Sequence, residues 1–343
     1  MKAYTSNNIR NIAVLGHGGK GKTTLCEAML YIAGASDRLG RVADGNTVLD
    51  FDSEEKRRKS SVSSAIAALE WDNTKLNIID APGLFDFEGG AAEAVRAAEA
   101  VLIVTSAGSG VDVGTEKAFR AAEKKGAAKF FAVTKTDSDH RNFYKTFDAL
   151  KEVYGNKLCP TIIPYMEGNI TKCYVNLMTG MAFSYDENGK ATKVPVPEDS
   201  VIEEMTSAFM EAVATTDDAL MEKFFEGEKF TKEEILKGLC IGIFDGSIYP
   251  VYAVSGLTCA GVDQLLYGLA WSAPGAFGYA GEKCTYENGE EGILPCDENG
   301  PLAAVCFKTI ADPFVGKMSF FKVVSGKLAP DTAAYNFLSL IHI

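Results

Sequence analysis

The chain has 343 residues, 47% of them hydrophobic, and a formal net charge of -12. That length and apolar content can bury more than one core, which points to two or three globular domains. No apolar run approaches the ~20 residues that span a bilayer, and the opening "MKAYTSNNIRN" lacks the apolar core of a secretory signal, so no membrane partner and a cytoplasmic location are expected.

The acidic balance argues against a broad basic face holding nucleic acid by sequence. The eight cysteines (Cys26, Cys159, Cys173, Cys240, Cys259, Cys284, Cys296 and Cys306) follow no CxxC or His-linked spacing and read as reduced thiols.

In chain order, the first strand is "NIAVLG" (11–16), which runs into "LGHGGKGKTTL" (15–25). Gly16, Gly21, Lys22 and Thr23 satisfy G-x-x-x-x-G-K-[ST], ahead of a helix expected from Lys22 to about Ala33. The residues from Gly16 through His17, Gly18, Gly19, Lys20, Gly21, Lys22, Thr23 and Thr24 are therefore the candidate phosphate cradle. Glycines let backbone N–H groups turn inward around phosphate oxygens, and the helix N-terminus adds a favourable dipole. Lys22 is expected to neutralise the β and γ phosphates and Thr23 to ligate Mg²⁺. Lys20 is an extra cation pointing to solvent, and His17 fills space beside the loop. A glycine-rich turn that binds nothing would need neither the strand before it nor the helix after it.

The charge run "EEKRRK" (54–59) reads as a solvated loop or helix face. The strand "KLNIID" (75–80) ends at Asp80 and turns at Gly83: the carboxylate can hold Mg²⁺ through water, and the glycine N–H can meet a γ-phosphate. After "AVLIVT" (100–105), the strand "KFFAVT" (129–134) delivers Thr134, Lys135 and Asp137. A carboxylate there can accept both the N1 and N2 hydrogens of guanine, which adenine does not offer, while the Lys135 stem covers the base. This selects GTP and disfavours a P-loop ATPase or kinase. The last strand of the set, "YPVYAVS" (249–255), places Ser255 and the Gly256 backbone at the O6 side of guanine. Near-continuous apolar strands separated by amphipathic helices imply an α/β fold with a largely parallel sheet covered on both faces, and ligands of such sheets bind at the carboxyl ends of the strands.

Residues from about 158 to 246 are too long for one crossover and are expected to form an inserted subdomain. Ile202, Met205, Phe209 and Val213 recur there at helical spacing, and Thr231 with Glu234 forms a capping box before Ile235, Leu236 and Leu239. From Tyr279 to Gly300 the composition turns to Gly, Glu and Asn, as at a domain boundary. Residues 301–337 then show short β-rich runs broken by turns, the pattern of an antiparallel barrel.

Taken together, these motifs resemble the translational GTPases. The stretches "RVADGNTVLDFDSEEKRRKSSVSSA", "DAPGLFDFEGG", "GSGVDVGTEKAFRAAEKKG" and "FKTIADPFVGKMSFFKVVSGKL" are similar to elongation factor G and more closely to bacterial elongation factor G-like paralogues, over nearly all of residues 8–336. The resemblance implies a GTPase domain at 1–278 with its insert at 158–246, a linker at 279–300 and the start of a β-barrel second domain at 301–337. It also implies GTP or GDP with Mg²⁺ as ligands and the ribosome as partner of the full-length parent.

Carried over by position, Ser61 falls where the first switch has a Mg²⁺-binding threonine, giving Thr23, Ser61 and Asp80 as metal residues. Thr134 stands where asparagine is usual, which implies modestly weaker GTP binding. Leu84 occupies the place of the histidine that orients the attacking water, so no catalytic group is assigned and slow hydrolysis is expected. A ribosomal-protection or release-type factor, and a GTP-dependent binding switch with little or no hydrolysis, remain as alternatives. The terminal "LSLIHI" (338–343) fits no barrel continuation, and its back-translation as CTG TCT CTT ATA CAC ATC matches a sequencing adapter. A foreign tail on a chain truncated within its second domain is therefore expected.

Overall fold

The computed structural model describes residues 2–138, 142–168, 170–276, 281–286, 288–312, 314–339 and 341–342. The chain forms two compact units, Met1–Gly275 and Ala276–Ile343. Of the expected boundary at 279–300, Tyr279, Ala280 and Glu287 lie outside the described residues, as do Leu340 and Ile343 of the expected tail.

The first unit is organised on one ten-stranded sheet. Its strands are β1 (Ile9–Leu15), β2 (Ala65–Trp71), β3 (Thr74–Asp80), β4 (Ala100–Ser106), β5 (Ala128–Thr134), β6 (Leu158–Glu167), β7 (Ile170–Asn176), β8 (Met181–Tyr185), β9 (Ala191–Val194) and β10 (Tyr249–Ala253), in the order β2-β3-β1-β4-β5-β10-β6-β7-β8-β9. Neighbours from β3 through β6 are parallel, whereas β2 at one edge and β7 to β9 at the other are antiparallel. Every residue of β4, β5 and β10 is buried. This is why they read as unbroken apolar runs: helices cover a parallel sheet, and no face is left for polar alternation.

The helices are α1 (Lys22–Ile32), α2 (Ser53–Arg58), α3 (Glu88–Ala97), α4 (Val113–Lys125), α5 (Phe143–Tyr154), α6 (Ser200–Ala214), α7 (Asp218–Glu226), α8 (Lys232–Asp245) and α9 (Val262–Ser272). α1 packs against α9, α9 against α8 and α8 against α6, while α3 packs against α4. The charge run at 54–59 lies mostly on α2, where half-buried Glu54 pairs with exposed Arg57 at 2.7 Å and Arg58 at 2.5 Å.

Four strands of the stretch expected as an insert lie in the main sheet. Its first strand, β6, is parallel to β10 with Tyr249 opposite Leu158, and β7 to β9 continue the same sheet by antiparallel pairing. The first seven residues of β6 are buried, so this strand belongs to the covered interior. The helical stripe behaves as expected: Ile202, Met205, Phe209 and Val213 are buried on α6, which packs on β6. The capping box also forms, with Thr231 Oγ1 accepting from the Glu234 N–H at 3.2 Å and Glu234 Oε2 accepting from the Thr231 N–H at 2.8 Å.

The second unit contains three antiparallel pairs: β11 (Glu282–Thr285) with β12 (Glu291–Leu294), β13 (Ala303–Asp312) with β14 (Gly316–Ser325), and β15 (Tyr335–Asn336) with β16 (Ile341–His342). Thus the expected boundary at 279–300 itself holds a hairpin. Asp312 caps the turn of the longest pair by accepting from the Phe314 and Val315 N–H groups, both at 2.8 Å. Lys322 and Glu282 pair at 3.6 Å between β14 and β11.

Because β6 to β9 share a sheet with β1 to β5, loss of packing on α6 should be felt across the first unit. Phe209 is fully buried, and Phe209→Ala is expected to cost about 3–5 kcal/mol. Both tryptophans, Trp71 and Trp271, lie in this unit, so the expected result is one tryptophan-fluorescence melt shifted as a whole to lower temperature. A separate early transition with the main one unmoved would contradict the single sheet.

Candidate nucleotide-binding site

β1, β3, β5 and β10 point the same way, so Gly16, Asp80, Thr134 and Ser255 all emerge at one edge of the sheet. The loop between β1 and α1 is built on close approaches that only glycine permits. A Cβ on Gly16 (φ +144) would lie 2.2 Å from the Val104 carbonyl oxygen, and Gly21 opens α1 in the left-handed conformation. Lys22 is buried and donates to the carbonyls of Gly16 and His17, each at 3.0 Å, which holds its ammonium inside the loop. Burial lowers its pKa while Asp80 opposes that shift. Gly83, after β3, lies directly against this loop: a Cβ there would stand 2.2 Å from Lys22 Nζ and 2.8 Å from the Gly18 nitrogen.

Beside Lys22 lies a buried cluster of two hydroxyls and two carboxylates. Thr23 Oγ1 donates to Asp80 Oδ2 at 2.6 Å, Ser61 Oγ donates to Asp50 Oδ1 at 2.7 Å, and the two hydroxyl oxygens stand 3.0 Å apart. A hydroxyl has one proton. With both protons committed to ionised carboxylates, the two oxygens face each other lone pair to lone pair, and a cation or an added proton is needed to relieve the contact. Burial pushes the Asp80 carboxyl up to about 7, against the pull of Thr23 and Lys22, so it stands at the edge of carrying that proton. Asp80 Oδ1 and Asp50 Oδ2 are buried with no hydrogen-bond partner among the described residues.

These oxygens suit a hard divalent cation, which takes oxygen ligands and is often held by only one or two carboxylates together with phosphate. Among the described residues, no group of three or more His, Cys, Asp or Glu side chains gathers as a metal cage. The donor set is instead Thr23, Ser61, Asp80 and, unforeseen from sequence, Asp50.

The loop carrying Ser61 is held by two further buried carboxylates. Glu27 on α1 accepts from the Val48 and Leu49 N–H groups at 2.8 and 2.9 Å. Glu55 accepts from Val62 and Ser63 at 3.0 and 3.2 Å and from Asp52 at 3.3 Å. Sequence reasoning missed all three acids. Glu27 sits on a helix and Asp50 and Glu55 sit near a charge run, where acidic residues are ordinary, and the only local signal was the D-x-x-E cap of Asp52 and Glu55.

At the base end, Lys135 adopts positive φ (+61) and donates to the Gly19 carbonyl at 2.7 Å. Thr134 Oγ1 contacts the Lys20 carbonyl at 2.6 Å and the Thr105 carbonyl at 3.0 Å, so it braces the phosphate loop from β5 and shares its single proton between two acceptors. Asp137 is exposed at the turn after β5. Ser255 is fully buried, with its hydroxyl accepting from the Thr258 N–H at 3.2 Å. Gly256 packs on the first turn of α1, where a Cβ would meet the Thr24 carbonyl carbon at 3.0 Å. Gly16, Asp80, Thr134 and Ser255 thus lie in loops at the carboxyl ends of the central parallel strands.

Two expectations change. Lys20 is not a free solvent cation: it pairs with Asp112 at 2.9 Å and donates to Ser109 at 2.8 Å, which tethers the loop to the segment before α4. His17 does more than fill space, because its carbonyl receives Lys22 while its ring lies edge-on to Phe85, centroids 5.6 Å apart. Leu84 is 41% exposed, and its Cδ2 comes within 3.1 Å of where a Gly18 Cβ would be. It therefore lies over the phosphate loop and offers no donor or acceptor.

A family model for the elongation factor Tu GTP binding domain matches residues 7–274. Two curated relatives, elongation factor G-like proteins from two strains of Mycobacterium tuberculosis, are 32% identical over 331 residues, which is 95% of this chain and 46% of each relative. A crystal structure of a Thermus thermophilus protein aligns with a TM-score of 0.83 and 33% identity, covering 95% of this chain and 47% of that one. The chain therefore spans about half the length of the proteins it matches.

The brace at Thr134 makes a testable demand on the phosphate loop. Thr134→Val keeps the side-chain shape but leaves the Lys20 and Thr105 carbonyls without their partner, and it should weaken binding of a fluorescent GDP about five- to tenfold. Unchanged affinity in an equilibrium titration would show that the loop does not need the brace.

Proposed function

The chain belongs to the elongation factor Tu GTP-binding domain family, and from that premise we propose that it is the GTP-binding part of an elongation factor G-like translation factor that acts on the ribosome and hydrolyses GTP slowly. The observation that carries the slow step is Leu84 over Gly18, at the position where the resemblance places a water-orienting histidine. On this reading the glycine-lined loop binds the phosphates through its N–H groups, and Lys22 compensates their charge. The Gly83 N–H senses the γ-phosphate because its Cα lies against the loop. Thr23 and Ser61 would hold Mg²⁺ directly and Asp80 through water, and the ion would neutralise charge building on the phosphate oxygens. Lys135 would cover the base, Asp137 would accept the N1 and N2 hydrogens of guanine, and the Ser255–Gly256 turn would meet O6.

What this chain contributes to turnover is then positioning and charge, without a side chain at residue 84 that can orient water. The same leucine supports the second reading, a GTP-dependent binding switch with little hydrolysis. Further residues in a full-length parent would supply the ribosome contacts.

The deciding measurement is binding and turnover of GTP and ATP, with and without ribosomes, on the chain joined to the remaining domains of its parent. Leu84→His is expected to raise ribosome-stimulated hydrolysis toward the ~10²-fold that a positioned acid–base group contributes; an unchanged rate would remove Leu84 as the cause of slow turnover. Asp137→Asn should weaken GTP binding roughly 100-fold and favour xanthine nucleotides. Retained GTP preference in that variant would refute the base assignment.

A further inference from the structure

We propose that Tyr174, on a strand of the inserted stretch, is a positioning residue for guanine recognition, fixing the turn that carries Asp137 against the turn that carries Ser255; this rests on the base-recognition reading above. The contact that makes the link is at Thr136, between Lys135 and Asp137. Thr136 Oγ1 donates to the Val254 carbonyl at 3.0 Å, immediately before Ser255. Its oxygen also lies 2.7 Å from the Tyr174 hydroxyl. Since the single Thr136 proton goes to Val254, the phenol is the donor in the second bond. Tyr174 is 3% exposed, and burial raises its pKa above the ordinary tyrosine value, so it keeps the proton it donates.

β7 grips Thr136 at a second point, because Thr171 Oγ1 donates to the Thr136 carbonyl at 2.9 Å. The other turn is held from the same hairpin. A Cβ on Gly261 (φ +75) would lie 3.5 Å from Tyr174 Cδ1, so the tyrosine ring packs under the end of the Ser255–Gly261 loop. Tyr174 is opposite Phe183 across β7 and β8, and Tyr185, two residues further, faces the same side. Its ring meets Tyr174 edge-on at 5.6 Å, and its hydroxyl donates to Asp263 Oδ1 at 2.6 Å in the first turn of α9. Gln264 Nε2 donates to Asp263 Oδ2 at 2.7 Å, and Asn176 Nδ2, again on β7, donates to Gln264 Oε1 at 2.8 Å.

One hairpin therefore reaches both guanine loops: Tyr174 and Thr171 hydrogen-bond Thr136, and the Tyr174 ring packs against the Gly261 end of the second loop. A bulky apolar residue at 174 would fill the same space but would leave the Thr136 oxygen without its donor. Guanine recognition depends on the separation of the two turns, since Asp137 and the Ser255–Gly256 turn would contact adjacent groups, N1 and N2 on one side and O6 on the other, along one edge of the base. Removing the phenol should consequently impair nucleotides that use the Asp137 contact most.

The test measures GDP and IDP binding, together with GTP turnover, for the wild-type chain, Tyr174→Phe, Thr136→Val, the double variant and Asp137→Asn. Tyr174→Phe is expected to weaken GDP about fivefold and IDP less, since IDP lacks the 2-amino group. The KM for GTP should rise with kcat unchanged. Thr136→Val should reproduce the loss, and the double variant should add nothing to it. Equal losses for GDP and IDP, a fall in kcat in place of the KM change, or additive losses in the double variant would overturn the role and mark Tyr174 as core packing. Asp137→Asn separates the two levels. If it turns preference to xanthine while Tyr174→Phe binds GDP as wild type does, only the positioning role fails; if the wild type binds no GDP or Asp137→Asn keeps its GDP preference, the base reading and this proposal fail together.

Discussion

The structure turns on an imbalance of buried charge beside the phosphate loop. The Lys22 ammonium attracts Asp80, whereas the carboxylates of Asp50 and Glu27 act against its charge. Buried charges are tolerated only when paired and hydrogen-bonded, and each acid here has its own answer. Asp80 takes the Thr23 proton, Asp50 takes the Ser61 proton, and Glu27 takes two backbone N–H groups. Those answers fix the loop from 47 to 63 in place, because its backbone and its serine supply the donors. The remaining defect, two hydroxyl oxygens facing each other with unpaired carboxylate oxygens nearby, is the feature that makes the cluster receptive to a divalent cation.

The same economy of donors and acceptors couples the loop to distant strands. Thr134 uses one hydroxyl to hold β5 to both the phosphate loop and β4, and Lys135 returns to Gly19 from the following residue. Lys20 is drawn the other way, toward Ser109 and Asp112. The phosphate loop is thus fastened on two sides, by Thr134 and Lys135 from β5 and by the Lys20 ties to Ser109 and Asp112. The Thr134 hydroxyl alone meets both the loop and β4.

Much of the site was legible from residue types at strand ends. Gly16, Lys22 and Thr23 are recognisable because a strand, a glycine turn and a helix must follow one another at fixed spacing. Asp80 and Thr134 to Asp137 are recognisable because each closes an unbroken apolar run. Asp50, Glu27 and Glu55 were not legible, since an acid on a helix or in a loop has the same local signature whether it faces water or a buried N–H. Lys20 misled for the corresponding reason: a lysine in a glycine loop gives no sign of an acid some ninety residues away. The β6 strand was absorbed into the expected insert because β7 follows it after only two residues, and its parallel partner β10 lies some ninety residues further along the chain.

By itself, the sequence determined the fold class, the order of the nucleotide elements and the apolar side chain at Leu84. These follow from local periodicity, backbone demands of glycine and side-chain chemistry, which act within a few residues. Tertiary structure alone decided that the inserted stretch prolongs the main sheet, that Asp50 joins Thr23, Ser61 and Asp80, and that Tyr174 meets Thr136. The β6–β10 pairing and the side-chain contacts join residues 30 or more positions apart, except for the Asp50–Ser61 bond across eleven, and the side-chain contacts depend on which buried donors are left over once the strands have paired. No spacing in the chain records that remainder; it exists only when the sheet and its loops are assembled.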